Sequence, residues 1–87
     1  MNSEIQYTEL RTALARQIRS VRIRRGMSQE ELAFRAGLHR TYISLVEGAK
    51  KSLTVDSLAR IASALDIKPS KLLASSEKRS SLKDGAK

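Results

Sequence analysis

Apolar residues along this 87-residue chain recur at helical intervals, and no useful stretch alternates with the period of two that a strand needs. From Leu10 they fall at Leu10, Leu14, Ile18 and Val21, a stripe spaced four, four and three, with arginine and glutamine on the other faces. Gly26 follows as a left-handed cap, so a first helix is expected over about 9–25. Ser28-Gln29-Glu30-Glu31 then reads as a capping box. The serine hydroxyl can accept the backbone N–H three residues on, and Glu31 can reach back. Leu32, Ala33 and Ala36 give the second helix a narrow buried stripe that Gly37 ends after about eight residues.

Leu38 anchors the turn into a third helix, expected from His39 or Arg40 to Glu47, which buries Ile43 and Val46 before Gly48 stops it. A basic loop, Gly-Ala-Lys-Lys-Ser-Leu, covers 48–53. Thr54 caps a fourth helix whose apolar set is Val55, Leu58, Ile61, Ala62 and Leu65. Asp66 tolerates the left-handed turn that glycine would make most easily, and Ile67 packs back. Pro69 suits the first turn of a short fifth helix holding Leu72 and Leu73. The pattern predicts an all-α domain over 10–73. Residues 1–9 form a polar extension, partly ordered at best, and 74–87 a disordered basic tail with Leu82 as its one large apolar residue.

A chain of this length makes one domain and buries only about 60–65% of its unfolded surface, so a second copy would be a natural supplement. The absence of cysteine excludes a disulfide framework, a thiolate metal site and cysteine catalysis. His39, the only histidine, cannot build a metal site alone. No apolar run approaches a membrane span and no signal peptide is evident, so a cytoplasmic location is expected.

Charge sharpens the picture. Seventeen Lys and Arg against nine Asp and Glu leave +8. Residues 10–51 hold ten basic residues against only Glu30, Glu31 and Glu47, which places seven charges of the surplus in that segment. A basic zone on part of a small domain is the footprint of a phosphate-binding face.

Two short helices joined by a glycine turn, the first capped by serine, are a helix-turn-helix signal. The detail is closer still. Met27-Ser28-Gln29-Glu30-Glu31-Leu32-Ala33, then Ala36-Gly37-Leu38, then Tyr42-Ile43-Ser44-Leu45-Val46-Glu47 resemble the phage repressor and Cro family, also called the xenobiotic-response-element family. Leu58 to Leu65 resembles its fourth helix and Leu72-Leu73 its fifth, so the resemblance spans about 10–73. It implies a five-helix, lambda-repressor-like bundle whose third helix, about 39–47, enters the major groove of double-stranded DNA.

Carried over by position, the resemblance puts Arg40 and Thr41 at base edges, with Ser44 one turn on. Arg40 can grip a guanine or meet a phosphate, and Thr41 can donate to a base or touch a thymine methyl. Gln29 would face a phosphate at the start of helix 2, or else solvent. His39 would cap helix 3 or touch phosphate. Tyr42 would place its hydroxyl on a phosphate while its ring packs on helix 2, or serve only as structure. Lys50 and Lys51 would lie beside the DNA backbone, and Arg16 and Arg19 on helix 1 would flank the same strand. Arg22 and Glu47 stand where the family commonly ties helix 1 to the end of helix 3 by an ion pair. Leu45 takes a position where some relatives carry a polar base reader, and either touches a thymine methyl or packs on the scaffold. Phe34 occupies a usually polar, exposed position and is either incidental or a contact for a partner chain.

The expected function is a sequence-specific transcription regulator that acts as a homodimer on a two-fold operator. Helix 5 and the end of helix 4 are its expected seam, where Ile67, Leu72 and Leu73 supply apolar surface, some of which must close the domain's own core. The compactness resembles controller proteins of restriction–modification systems and small phage-type repressors. A different reading is an antitoxin that neutralises a toxin and binds its own operator. A third is a helix-turn-helix used only for protein interaction. No carboxylate pair, nucleophile–base set or glycine-rich phosphate loop suggests an enzyme. No cofactor, metal or small-molecule effector is expected.

Overall fold

In the computed structural model the backbone is described for residues 3–79 and the side chains for residues 9–78. Five helices follow in order: α1 (Ser3–Arg24), α2 (Gln29–Ala36), α3 (Arg40–Glu47), α4 (Val55–Ala64) and α5 (Pro69–Arg79). There is no strand among the described residues. The three central helices match the sequence expectation within a residue. α1 packs along α5 and touches α3, α2 packs on α3 and α4, and α4 meets α5.

The core is aliphatic. Ile18, Val21, Leu32, Ile43, Ile61, Leu65 and Leu72 are fully buried, drawn from all five helices. Each such side chain contributes about 1.5–3 kcal/mol on removal from water, so no single helix needs to be stable alone. Leu10, Leu14 and Leu58 are half-buried at its margin. Val55, expected in the apolar set of α4, is instead 85% exposed. It sits at the first helical position, where the stripe has not yet turned inward.

The caps follow the sequence at most positions. Ser28 accepts the Glu31 N–H at 3.0 Å and Thr54 accepts that of Ser57 at 3.0 Å. Glu31 does not reach back to complete the box. Its carboxylate accepts from Arg35 at 2.7 Å, one turn along. Gly37 takes φ +70°, the left-handed conformation that lets two helices meet at this angle. Gly48 does not play that part at the end of α3, where it has φ −84°. The left-handed residue is Ala49, at φ +58°, and its successor Lys50 donates its N–H to the Leu45 carbonyl at 2.8 Å. Asp66 is left-handed as expected, at φ +57°.

Both terminal helices run farther than periodicity suggests. α1 starts at Ser3, within the expected polar extension, and α5 continues past Ala74 to Arg79. The physical reason at the C-terminal end is visible at Ser76. Its side chain is buried, yet its hydroxyl donates to the Leu72 carbonyl at 2.8 Å, so a residue that counts as polar in the sequence is satisfied inside. Residues 80–87, the rest of the expected disordered tail and Leu82 with it, lie outside the described residues.

An alanine held left-handed is strained by about 1–2 kcal/mol. Ala49→Gly is therefore expected to raise stability by about 1 kcal/mol, seen as a thermal midpoint about 4–8 °C higher, with the helical content unchanged. An unchanged or lower midpoint would count against that strain.

Candidate nucleic-acid interface

α3 is amphipathic in a way that separates scaffold from surface. Ile43 and Val46 point into the core, while Arg40, Thr41, Ser44 and Leu45 are exposed. With 3.6 residues per turn these four fall on one stripe. Arg40 makes no hydrogen bond or ion pair among the described residues, so its guanidinium is available to a ligand. His39 is the N-cap of α3 but makes no side-chain cap. Of its two expected roles the structure removes capping, and the first-turn amides of α3 are left open to an anion.

What holds α3 in place is a buried carboxylate. Glu47 Oε2 accepts from Arg22 Nε at 2.6 Å and Oε1 accepts from Arg22 Nη2 at 2.9 Å, a two-pronged pair with side chains only 10% and 3% exposed. Arg22 Nη1 also donates to the Met27 carbonyl at 2.7 Å. The hydrogen bond from Arg22 to Glu47 raises the guanidinium pKa above its ordinary value, against the pull of burial.

Gln29 joins this cluster. Its amide donates to Glu47 Oε1 at 3.1 Å, which leaves the side chain half-buried rather than free in solvent. One amide hydrogen and the carbonyl oxygen take no part in that bond.

The basic loop is also anchored. Tyr42 is half-buried against the core, and its hydroxyl donates to the Ser52 carbonyl at 3.4 Å. Lys51 Nζ stands 6.0 Å from the Tyr42 ring centroid, at the outer limit of a cation–π contact. Arg11 donates to Ser52 Oγ at 3.3 Å from 41 positions away. Sequence reasoning singles out neither Arg11 nor Ser52, and a pairing at that separation leaves no local signal. Lys50 is exposed, as are Arg16 and Arg19 on a solvent stripe of α1 that also carries Ile23. Among the described residues nothing ties Arg16 or Arg19 to α3 or its loop.

Of the expected seam, Leu72 is fully buried in the chain's own core and is thereby withdrawn from any surface. Ile67 and Leu73 remain half-exposed. Phe34 is 85% exposed on α2. No helix among the described residues is long and apolar enough to cross a membrane.

A short capped helix, a left-handed glycine turn and a second helix with an open polar stripe define a helix-turn-helix domain. The helix-turn-helix family model matches residues 18–72. The chain is 39% identical over 72 residues to control protein C.SmaI of Serratia marcescens, covering 83% of this chain and 86% of the relative. It is 38% identical over 65 residues to control protein C.BamHI of Bacillus amyloliquefaciens, covering 74% and 80%. The crystal structure of the restriction–modification controller protein C.AhdI from Aeromonas hydrophila superposes with a TM-score of 0.70 at 35% identity, over 71% of this chain and 94% of that one. The chain belongs to the Cro/C1-type helix-turn-helix family, and it is a DNA-binding transcription regulator rather than an enzyme.

Removing one member of a buried ion pair strands the other. Glu47→Gln is expected to cost about 3 kcal/mol in urea unfolding, while replacing both Arg22 and Glu47 by aliphatic residues costs clearly less. Equal losses in the single and double variants would show that Arg22 is not stranded.

Proposed function

We propose that the chain controls transcription as a homodimer on a two-fold operator, with α3 of each protomer in the major groove. The observation that carries this is the open stripe of Arg40, Thr41 and Ser44 on a helix whose C-terminal end is clamped by Glu47. In this reading Arg40 binds guanine through O6 and N7, while Thr41 and Ser44 supply shorter polar contacts to neighbouring bases. Gln29 offers its unused amide hydrogen to a phosphate while Glu47 holds its other one. Lys50, Lys51, Arg16, Arg19 and His39 meet the backbone, and Tyr42 acts mainly by shaping the Lys50–Lys51 loop.

One such domain covers too little DNA for strong specificity, since a single module buries only about 600–1,000 Å². A second copy doubles this and spaces two half-sites about 34 Å apart, or a near multiple. The seam we propose lies at α5 and the start of α4. Half-exposed Leu73 and the exposed Val55 border an open apolar groove of about 220 Å³, also lined by Leu10, Leu14, Leu53 and Leu58. A projecting valine beside an apolar groove is the self-complementary arrangement that a two-fold interface requires. Ile67 lies in the turn just before α5 and contributes at the margin.

The controller relatives favour regulation of a restriction–modification system over the antitoxin reading. The chain then works in the cytoplasm, with the DNA that it regulates.

Selection of sites from random duplex DNA tests the reading, with an inverted repeat as the expected result. Arg40→Ala is expected to weaken binding to the selected site by about 1–3 kcal/mol and relax preference at one base pair per half-site. Lys50→Ala would weaken all sequences alike and lower the salt slope by about 0.9 for each phosphate that the lysine neutralises. Salt-sensitive binding without any selected sequence would refute the specific regulator. In sedimentation experiments Leu73→Glu and Val55→Glu are expected to shift dimer to monomer, whereas Phe34→Ser leaves the dimer intact. A dimer that persists in both glutamate variants places the seam elsewhere.

A further inference from the structure

Arg11 differs from the arginines that the fold neutralises. Arg22, Arg35 and Arg60 each meet a carboxylate, at 2.6, 2.7 and 3.1 Å. Arg11 Nη1 instead donates to a neutral group, the Ser52 hydroxyl, at 3.3 Å. A bond to a hydroxyl leaves the positive charge intact and brings it to the residue beside Lys51. Ser52 is 41 positions away, in the loop between α3 and α4, so the bond ties the N-terminal half of α1 to that loop.

The loop needs outside anchors. It leaves α3 through Ala49 at φ +58°, a conformation that alanine keeps only where its surroundings hold it. Lys50, Lys51 and Ser52 are exposed and lie outside any helix. Lys50 is closed onto α3 by its N–H, which donates to the Leu45 carbonyl at 2.8 Å. The next anchors both fall on Ser52. Its carbonyl accepts from the Tyr42 hydroxyl at 3.4 Å, and its own hydroxyl accepts from Arg11. These anchors use different atoms of one residue and come from different helices. One long bond alone lets the loop swing about Tyr42, whereas a second bond from α1 removes that freedom. Arg11 is itself seated, since it lines the apolar groove with Leu10, Leu14 and Leu53.

Two loop lysines meet phosphate only when the backbone that carries them is in place, and ordering it during binding costs affinity. We propose that Arg11 is a positioning residue for DNA binding, whose hydrogen bond to Ser52 sets the Lys50–Lys51 loop before the duplex arrives. The proposal rests on the reading of Lys50 and Lys51 as contacts to the DNA backbone.

Ser52→Ala is the discriminating variant. It removes the acceptor that Arg11 uses, yet keeps every charge and the main-chain carbonyl that Tyr42 holds. Binding to a duplex selected from random DNA is measured for Ser52→Ala, Arg11→Met and the double variant. Ser52→Ala is expected to weaken binding about three-fold, the worth of one modest hydrogen bond. Arg11→Met should lose at least as much, and the double variant no more than Arg11→Met alone. Ser52→Ala should keep the wild-type thermal midpoint and sedimentation, and have no further effect once Lys50→Ala and Lys51→Ala are in place. Wild-type affinity in Ser52→Ala overturns the proposal even where Arg11→Met binds weakly, because Arg11 then acts through its own charge. Fully additive losses in the double variant do the same. A midpoint or dimer that falls together with affinity in Ser52→Ala assigns the bond to stability or to the seam, and also overturns it. Unchanged affinity in the variant carrying both Lys50→Ala and Lys51→Ala refutes the backbone reading of the loop and this proposal with it.

Discussion

The position of α3, the proposed recognition helix, depends on the Glu47 carboxylate. Both of its oxygens are occupied, one by Arg22 and the other by Arg22 and Gln29 together. Through Arg22 Nη1 the same cluster takes hold of the Met27 carbonyl, in the connection before α2. One buried site thus joins the end of α1, the start of α2 and the end of α3. Two charges in a nearly dry place are expensive unless every polar atom is answered, and no buried side-chain nitrogen or oxygen among the described residues lacks a partner. The result is a stiff relation between the two helices of the motif. The base reading proposed for the α3 stripe would need that, because hydrogen bonds to base edges tolerate little displacement.

The same logic sorts the other cations. Glu31 is spent on Arg35 and Asp56 on Arg60, both as pairs one helical turn apart. These exposed pairs add little stability. Their effect is to neutralise the outer faces of α2 and α4. Arg11 and Arg25 are held by Ser52 and by the Asp66 carbonyl. The cations left without an internal partner among the described residues include Arg16, Arg19, Arg24, Arg40 and Lys50. Net charge alone would treat all these arginines alike, whereas their internal partners decide which of them are available to phosphate.

The segment after α3 links the surface proposed to read DNA to the apolar groove. Ala49 accepts a strained conformation, and the loop that follows is held at Ser52 from two sides, by Tyr42 and by Arg11. Strain of this kind survives only where neighbouring contacts over-determine the backbone. Immediately beyond lie Leu53 and Val55, which border the groove. On the proposed seam, a second copy would have its position transmitted to α3 through a short, anchored connection, and half-site spacing would then be coupled to loop geometry.

Local rules make much of this legible. The capping serine and threonine, the left-handed Gly37 and Asp66, and the spacing of Leu32, Ile43 and Ile61 are decided within a few residues, where hydrogen-bond reach and helical periodicity suffice. The positions of Arg40, Thr41 and Ser44 on one open stripe follow from the same periodicity, and the Arg22–Glu47 pair is accessible through family resemblance. Other features cannot be read locally. The full extent of α1 and α5 is not a local matter: the two helices pack along each other, and Ser76, polar in the sequence, is fully buried on α5. Ile67, Leu72 and Leu73 read in the sequence as a set shared between seam and core, and only the fold assigns Leu72 to the core, because hydropathy cannot say which side of a leucine pair faces inward. Gln29 meets Glu47, and Arg11 meets Ser52, across 18 and 41 positions, distances over which no spacing rule operates. The helices, their order and the class of ligand are already set in the chain, because each is a sum of short-range preferences and charge. Which polar groups are satisfied and which apolar ones stay uncovered is settled in three dimensions, because both depend on neighbours far away along the chain.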